Sequence, residues 1–528
     1  MEQAKKIFSN RAYLDALQQR VLLFDGAMGT NLDRQNLTAD HFGGEATVGC
    51  NDYLVITYPQ AVETVHRAFL EAGADVIETD TFRSNRLTLG EFGLGECVAE
   101  INHSAARLAR KLADEYTTQG KPRFVAGSIG PSGKLISSED PIMSDIDFDA
   151  LVDVFREQAV GLIDGGVDLL LIETAQDILE VKAAILGIRA AYAETGQVLP
   201  IQAQITLDTT GRMLMGTDIA AALAILEGMD IDVIGLNCST GPDYMREPIR
   251  FLTEHSNLPV SCIPNAGLPL NVDGQAVYPM EPEPFADLLL EFVNEFGVRV
   301  IGGCCGTRED HIALIDARLD RDRRWLPASA PLAQLASPVQ AVNMVQEPAP
   351  FLIGEQLNTQ GSRKFKQLIM DGEIDAIIEM ARQQVESGAH GLDLCVALTE
   401  RSDEAEQMRM LVKKLSNAVP VPLVIDSTEV EVIETALKAN PGRCLINSTH
   451  LESGEENADQ IFKLARKFNA AIIVLTIDEA GMAKSADRKL EIAQRIYNLA
   501  VDGHGLRPED LVYDVLTFTL ATGDPELR

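Results

Sequence analysis

The sequence predicts an α/β fold with two (β/α)8 TIM-type barrels in tandem, the second lacking its last strands. Short β-branched runs alternate with longer amphipathic stretches from residue 21 onward, which is typical of repeated βαβ units. No G-x-G-x-x-G motif lies at a first strand–helix turn, which disfavours a dinucleotide-binding sheet. A chain of 528 residues is long enough for two sizeable cores.

The first barrel is predicted over residues 1–325. Eight repeats within about 300 residues favour a closed barrel over an open doubly wound sheet. Amphipathic stretches that follow the strands, such as 61–72 and 151–164, are the expected outer helices. The expected strands are 21–25, 75–80, 124–128, 167–173, 200–207, 231–238, 259–264 and 298–303.

The second barrel is predicted over residues 351–528, after a linker at 326–350. The linker contains five prolines and little charge, a composition typical of a semi-rigid spacer. A parallel barrel with only six strands has two unpaired edges. We therefore expect this chain to be a piece of something longer, or a partner to complete the sheet. The six strands are expected near 351–354, 391–396, 422–426, 443–448, 470–477 and 510–516.

Composition and charge exclude several classes of function. The formal net charge of −34 disfavours nucleic acid and anionic membranes as partners, because its long-range field repels phosphate. The first 30 residues contain no signal-peptide pattern, and no apolar run reaches membrane-spanning length. Eight scattered cysteines do not make a disulfide scaffold and fit a reducing compartment. We expect a soluble, cytoplasmic protein.

Three cysteines stand at the predicted ends of two strands. Cys238 ends the sixth strand, and Cys304 and Cys305 follow the eighth strand between glycines. Chemistry in such barrels gathers at the C-terminal strand ends, so these thiols are expected to converge. Three thiolates leave the fourth position of a catalytic zinc open for substrate. The alternatives are small buried side chains, which is a common role of cysteine, and a vicinal disulfide between the adjacent pair.

A zinc ion held by three thiolates suits the activation of a substrate thiol better than the activation of water. Metal binding lowers the pKa of the thiol, so the nucleophilic thiolate exists at neutral pH. The implied reaction is alkyl transfer to a thiol. Asp25 and Glu173, at two other strand ends, are candidates to hold a substrate ammonium group, and strand-end caps are an equal alternative.

The first 320 residues resemble the cobalamin- and betaine-dependent homocysteine methyltransferase family. The matching motifs are Asp-Gly-Ala-Met-Gly-Thr at 25–30, Asn-Cys at 237–238 and Gly-Gly-Cys-Cys-Gly at 302–306. The resemblance implies that the three cysteines bind zinc, that the homocysteine sulfur is the fourth ligand, and that Asn265 can take the open position without substrate. The residues expected around homocysteine are Asp25, Ala27, Met28, Glu173 and Asn237.

The second half resembles the pterin-binding barrel of the cobalamin-dependent methionine synthases, a fold shared with dihydropteroate synthase. The matching segments are Ile-Asp-Ser at 425–427, Ile-Asn-Ser at 446–448, the run 476–484 and the end 516–523. Polar side chains at these strand ends can pair with the edges of a pterin, although each also suits a helix N-cap. The resemblance implies folate contacts from Glu355, Asn358, Asp426, Asn447 and Asp514.

Together the resemblances predict methyl transfer to homocysteine, giving methionine, with methylcobalamin as immediate donor and 5-methyltetrahydrofolate as the methyl source for cobalamin. The string Asp502-Gly503-His504 fails the cobalamin motif Asp-x-His-x-x-Gly at its last position. We therefore expect a cobalamin-binding module outside this chain, in cis or in trans. The alternatives are a homocysteine methyltransferase that uses betaine or S-methylmethionine, and a non-catalytic fragment with a binding role.

Overall fold

The computed structural model describes residues 6–272, 274–322, 324–327, 332–399 and 401–517. The chain divides into two compact units. One consists of Ile7–Ile219 and Asp230–Ala330, and the other contains the described residues after 331 with the segment Ala220–Met229. Residues 518–523 of the motif at 516–523 lie outside the described part of the chain.

Eight parallel strands of the first unit form a barrel. Their order around the sheet is β1-β10-β7-β6-β5-β4-β3-β2, and a parallel bridge between Phe24 and Val76 brings its two edges together. The predicted (β/α)8 barrel is therefore confirmed. The strands of this unit are β1 Leu22–Leu23, β2 Val76–Glu78, β3 Phe124–Ile129, β4 Leu169–Ala175, β5 Ile201–Ile205, β6 Val233–Asn237, β7 Val260–Ile263, the hairpin pair β8 Leu270–Val272 and β9 Gln275–Val277, and β10 Val300–Ile301.

Helices alternate with the strands throughout the described chain. Their apolar positions recur at helical spacing, as in α4, where Val62, Val65 and Phe69 are buried. The α-helices are α1 Ala12–Gln19, α2 Met28–Asp33, α3 Leu54–Thr57, α4 Pro59–Ala72, α5 Arg86–Gly90, α6 Val98–Tyr116, α7 Phe148–Gly165, α8 Ile178–Thr195, α9 Ile219–Leu226, α10 Pro242–His255, α11 Pro282–Glu291, α12 Glu309–Arg318, α13 Arg363–Asp371, α14 Ile374–Glu386, α15 Glu404–Ala418, α16 Val430–Ala439, α17 Glu456–Phe468 and α18 Ala486–Tyr497.

Helix α1 contributes to the core inside the first barrel. Tyr13, Leu14 and Leu17 of this helix pack with buried side chains from the barrel strands. The Tyr13 hydroxyl donates to Gln202 Oε1 at 2.7 Å, so the one polar group of the tyrosine is satisfied inside the core. This packing leaves the opposite, C-terminal strand ends open for a site.

The second unit contains a six-stranded parallel sheet in sequential order, β13-β14-β15-β16-β17-β20. All six predicted strands are present. Among the described residues, β13 and β20 are the sheet edges and do not pair with each other. The strands of this unit are β11 Gln334–Ala336, β12 Ala341–Asn343, β13 Ile353–Asn358, β14 Gly391–Cys395, β15 Leu423–Asp426, β16 Leu445–Thr449, β17 Ala471–Leu475, β18 Ile477–Asp478, β19 Gly481–Met482 and β20 Leu511–Asp514.

Part of the proline-rich segment 326–350 is an ordered hairpin. Strands β11 and β12 pair in antiparallel fashion, and Leu335 packs against Val424, Leu445 and Ala471 of the sheet. The buried Arg443 donates to the Gln334 carbonyl and to Asp510. The hairpin is thus bonded to the sheet that follows it, which the composition of the segment did not predict.

Within the described residues, no helix is both long enough and apolar enough to cross a bilayer.

Candidate zinc and homocysteine site

A cavity of about 250 Å³ opens at the C-terminal strand ends of the first barrel. It is lined by backbone of the loop 25–30, by carboxylates and by all three thiols of the predicted metal site. The barrel therefore brings together strand ends that are far apart in sequence. The lining side chains that can carry chemistry are Asp25, Asp52, Glu78, Asp80, Ser128, Glu173, Cys238, Cys304 and Cys305.

The three predicted thiols form one cluster. The Sγ atoms of Cys238, Cys304 and Cys305 all lie within 4.8 Å of one another, and those of Cys238 and Cys305 are 3.8 Å apart. Tetrahedral zinc with Zn–S bonds of about 2.3 Å requires sulfur atoms about 3.8 Å apart. Cys238 has a φ of 56°, a backbone conformation that residues other than glycine rarely adopt. Such backbone strain is typical of functional positions.

Backbone hydrogen bonds fix the adjacent cysteines. The Cys304 amide donates to the Pro264 carbonyl at 2.7 Å, and the Cys305 carbonyl accepts from the Ala266 amide at 2.9 Å. Gly306 has a φ of 80°, and a Cβ atom there would lie 2.3 Å from Tyr278 Cβ. The glycine after the cysteine pair is therefore required for both its conformation and its close contact.

Hydrogen bonds connect the three sulfur atoms. Hydrogen bonds donated by Cys238 and Cys304, with a further one from Tyr278, lower the pKa of Cys305 to about 3. The hydrogen bonds to Cys238 and Cys305, with burial, raise the pKa of Cys304. A cluster of three thiols, one of which has a lowered pKa, suits a soft or borderline cation.

Asn265 lies between Pro264 and Ala266, whose backbones are hydrogen-bonded to the adjacent cysteines. It is 1% exposed, and its amide oxygen has no hydrogen-bond partner among the described residues. A buried amide oxygen without a donor carries a desolvation cost unless a ligand satisfies it. This observation fits the expectation that Asn265 takes the open metal position in the absence of substrate.

Carboxylates occupy the other side of the cavity. Asp25 Oδ2 accepts from the Glu78 amide at 3.0 Å, and Glu173 accepts from the Ser128 hydroxyl. Burial raises the pKa of Asp25, Glu78 and Glu173, and that of Glu173 reaches about 7. The charge of Glu173 raises the pKa of Asp25 and of Glu78 further. Buried carboxylates without a cationic partner indicate a site that receives a cation.

Ala27 and Met28 both line the cavity, but only one of them has a backbone amide without a protein acceptor among the described residues. The Ala27 amide donates to Thr307 Oγ1 at 3.1 Å, and its carbonyl accepts from Asn31 Nδ2 at 2.7 Å. The Met28 amide, in the first turn of α2, has no protein acceptor among the described residues. Met28 therefore offers an open backbone donor to a substrate, whereas Ala27 contributes its position.

The structure places Asn237 behind the cavity. It is fully buried, and its Nδ2 donates to Glu173 Oε2 at 3.1 Å and to Thr174 Oγ1 at 2.9 Å. Its Oδ1 accepts from the Thr174 amide at 2.7 Å. Asn237 therefore orients Glu173, while the cavity-lining atoms belong to the residues around it.

Three acidic residues of the cavity, Asp52, Glu78 and Asp80, were not singled out from the sequence as site residues. Asp80 is 6% exposed, and its Oδ2 atom has no hydrogen-bond partner within the described chain. Asp52 accepts from the Arg83 amide and the Ser84 hydroxyl, both at 2.8 Å. Burial, with the Asp52 charge, raises the pKa of Asp80. Asp80 ends a predicted strand and was detectable, whereas Asp52 lies in a short helical turn without a motif.

Most of the predicted folate residues meet in the second unit. Asn358 Nδ2 donates to Asp393 at 3.0 Å and to Asp426 at 2.8 Å, and Asn447 Nδ2 donates to Asp393 at 3.2 Å. Burial, with the Asp393 charge, raises the pKa of Asp426 to about 6. The charge of the exposed Glu355 raises the pKa of Asp426 further.

Asp514 is separate from this network. It is exposed at the end of β20, and its carboxylate accepts from the Leu516 amide at 2.8 Å. No described hydrogen bond joins it to the Asp393 network.

Comparison with known proteins identifies the family. A family described as homocysteine S-methyltransferase matches residues 22–319, more than half of the chain. The chain belongs to the homocysteine S-methyltransferase family. A second family, described as pterin binding enzyme, matches residues 354–528. Both resemblances predicted from the motifs are thus confirmed, and both family boundaries coincide closely with the two strand series.

Two curated relatives match this chain over both of its halves. The methionine synthase of Mycobacterium leprae is 39% identical over 98% of this chain and 43% of its own length. That of Mycobacterium tuberculosis is 39% identical over 100% of this chain and 44% of its own length. The chain therefore spans less than half the length of these relatives.

A solved structure of the homocysteine methyltransferase MmuM from Escherichia coli, in its metallated form, is also similar. It is 26% identical, and the likeness covers 58% of this chain and 99% of that one, with a TM-score of 0.47.

Proposed function

We propose that this chain carries out the homocysteine-activating part of methionine synthesis, with Cys238, Cys304 and Cys305 as ligands of a catalytic zinc. The observation that carries the proposal is the convergence of three thiols within 4.8 Å in a cavity that also contains unpaired carboxylates. The spacing of 3.8 Å between two sulfur atoms suits tetrahedral zinc, and the soft donor set suits it as well. A zinc ion held by Cys238, Cys304 and Cys305 would lower the pKa of the homocysteine thiol and leave its sulfur nucleophilic.

The rest of the cavity would hold the amino acid end of homocysteine. Asp25 and Glu173 are buried carboxyl groups to which no described cationic side chain is bonded, so they suit the substrate ammonium. The Met28 amide would donate to the substrate carboxylate, and Ala27 and Asn237 would support these contacts. The homocysteine thiol would release its proton to solvent and its sulfur would form a bond to the methyl carbon, while the bond between that carbon and the carrier would break with its electron pair left on the carrier.

The pterin-binding family match supports 5-methyltetrahydrofolate as the source of the methyl group. We propose that Glu355, Asn358, Asp426, Asn447 and Asp514 lie at that site. Methylcobalamin would be the immediate donor, carried by a module outside this chain. The domain boundaries 1–325, 326–350 and 351–528, and a cytoplasmic location, belong to the same proposal. Betaine and S-methylmethionine are the competing donors that an assay must include.

Metal content tests the proposed site directly. The purified chain should bind one zinc per molecule, measured by atomic emission after removal of loosely bound metal. Cys304→Ala should abolish this zinc, because two thiolates and water hold the ion far more weakly. Cys97→Ala is the matched control, since Cys97 lies at the start of α6, away from the cluster. Retention of full zinc by Cys304→Ala would refute the assignment.

The donor is tested by supplying homocysteine with methylcobalamin, betaine or S-methylmethionine in separate reactions. We expect methionine from free methylcobalamin only, and none from the Cys304→Ala variant. Methionine formed from betaine or S-methylmethionine alone would replace the proposed donor. No methionine from any donor, with zinc and homocysteine bound, would favour a binding role.

A further inference from the structure

Thr307 lies where two loops of the first barrel meet. We define the substrate loop as residues 25–30 and the cysteine loop as residues 303–307. Thr307 is fully buried. Its Oγ1 accepts from the Ala27 amide of the substrate loop at 3.1 Å and donates to the Cys304 carbonyl at 2.6 Å. One hydroxyl group therefore joins a donor of one loop to an acceptor of the other.

Further hydrogen bonds continue this contact between the loops. The Gly303 amide donates to the Asp25 carbonyl at 3.0 Å, and the Gly306 amide donates to Thr30 Oγ1 at 3.1 Å. Asn31, just after the substrate loop, donates to the Thr307 carbonyl at 3.1 Å. The loops follow the paired strands β1 and β10, so their bases are already adjacent.

The shape of Thr307 also determines which residues can face it. A Cβ atom on Gly303 would lie 2.4 Å from Thr307 Cγ2, and one on Gly26 would lie 2.7 Å from Thr307 Oγ1. Real Cβ contacts are never that short, so both positions require glycine while threonine is present. The buried Thr307 side chain thus accounts for Gly303, and it accounts for Gly26 together with the Phe69 ring, from which a Cβ atom on Gly26 would lie 2.8 Å.

We propose that Thr307 is a positioning residue, which fixes the distance between the metal-binding thiols and the part of the cavity that receives the substrate amino acid group. This inference rests on the proposed function. Homocysteine would need to reach Cys304 with its sulfur and the substrate loop with its other end, so the two loops must keep one spacing. Groups that orient metal ligands typically contribute a factor of about 10 to 100 in affinity or activity.

Two substitutions separate the hydrogen bonds from the packing. Thr307→Val keeps the branched shape and removes both Oγ1 bonds, whereas Thr307→Ser keeps the hydroxyl and removes the methyl group against Gly303. Amide exchange of the full, metal-free chain gives the first readout. We expect the Ala27 amide to exchange about tenfold faster or more in Thr307→Val, and to stay within about twofold of wild type in Thr307→Ser. Faster exchange in the Ser variant than in the Val variant would overturn the inference.

Binding gives the second readout, measured by calorimetry on chains with full zinc occupancy. We expect the homocysteine Kd of Thr307→Val to rise about tenfold or more, with a smaller change for Thr307→Ser. Wild-type affinity in the Val variant would overturn the positioning role, even with altered exchange. A wild-type chain that binds zinc but no homocysteine would instead contradict the proposed function and, with it, a positioning role for substrate. The exchange result would still report whether Thr307 joins the loops.

Discussion

The two ends of the first barrel differ in whether arginine side chains surround their buried acids. Near the N-terminal strand ends, the fully buried Asp75 accepts from the Leu23 amide and has Arg20, Arg123 and Arg321 around it. At the C-terminal ends, no described arginine or lysine side chain donates a hydrogen bond to the cavity carboxylates, among them Glu173. The first arrangement compensates a buried charge, and the second leaves charge available to a ligand.

This difference separates stability from function within one barrel. A compensated acid contributes to folding, because its removal leaves buried cations unpaired. An uncompensated acid reduces stability when it ionises and contributes binding energy when a cation arrives. In (β/α)8 barrels generally, the C-terminal end carries chemistry and the N-terminal end carries stability. Substitutions at the N-terminal end should therefore lower stability, and substitutions at the C-terminal end should weaken ligand binding without lowering stability.

The largest expected effect is on the compensated end. Asp75→Asn should lower the free energy of unfolding of the first barrel by about 3–5 kcal/mol, because three arginines lose their buried counter-charge. Urea unfolding of the full chain measures this. Asp114→Asn is the control, since that carboxylate is exposed and pairs with Arg110 at the surface, and it should change stability by less than about 1 kcal/mol. An equal decrease in the free energy of unfolding in both variants would show that the arginines around Asp75 do not make it more important for stability than a surface acid.

The next effect is on the uncompensated end. Glu173→Gln should raise the homocysteine Kd about 100-fold, since a charge-assisted bond to the ammonium is lost, while zinc content and the free energy of unfolding stay unchanged. Calorimetry on the zinc-loaded chain measures the Kd. Asp208→Asn, an exposed acid in the loop after β5, is the control and should bind normally. Unchanged homocysteine binding by Glu173→Gln would contradict the role of the cavity acids.

The pH dependence of stability sharpens the comparison further. Burial raises the pKa of Glu180, which accepts from Ser132, from 4.5 to about 7. The folded chain then holds a proton that the unfolded chain releases, so stability should fall as pH rises from 4.5 to 7. The wild-type chain should lose on the order of 2–3 kcal/mol relative to Glu180→Gln across this range. Parallel stability profiles of the two chains would show that this acid is compensated.

The smallest expected effect lies in the second unit, where the polar network is half-buried. Asp426→Asn should weaken 5-methyltetrahydrofolate binding about tenfold, because one charged acceptor is lost while Asn358 can still donate to the new side chain. Fluorescence titration with the folate measures it. Asp514→Asn should change the Kd less, since Asp514 lies outside the network. A larger effect from Asp514 would identify a different folate site.

The sequence predicted the strands and the convergence of the three cysteines well because both follow from local patterns. Alternating β-branched and amphipathic segments indicated all the strands of both parallel sheets, and the cysteine pair followed a strand directly. The hairpins β8–β9 and β11–β12 were not predicted, because exposed or proline-rich short strands carry little periodic signal.

Contacts across the barrel were the part that the sequence did not reveal. Asn237 was expected at the substrate, and the structure places it on Glu173, 64 residues away in sequence. The hydrogen bonds that join Thr307 to Ala27 and Tyr278 to Cys305 are tertiary contacts, which no spacing rule predicts. Strand-end position indicates that a side chain is near the site, and only the neighbouring strands determine whether it faces the cavity.

We propose that the homocysteine sulfur completes a metal site made by three thiols of this chain. Zinc-edge X-ray absorption of the zinc-loaded full chain, with and without homocysteine, tests it most directly. We expect three sulfur ligands and one lighter atom without substrate, and four sulfur ligands at about 2.3 Å with it. A first shell that stays at three sulfur atoms with homocysteine bound would contradict the account.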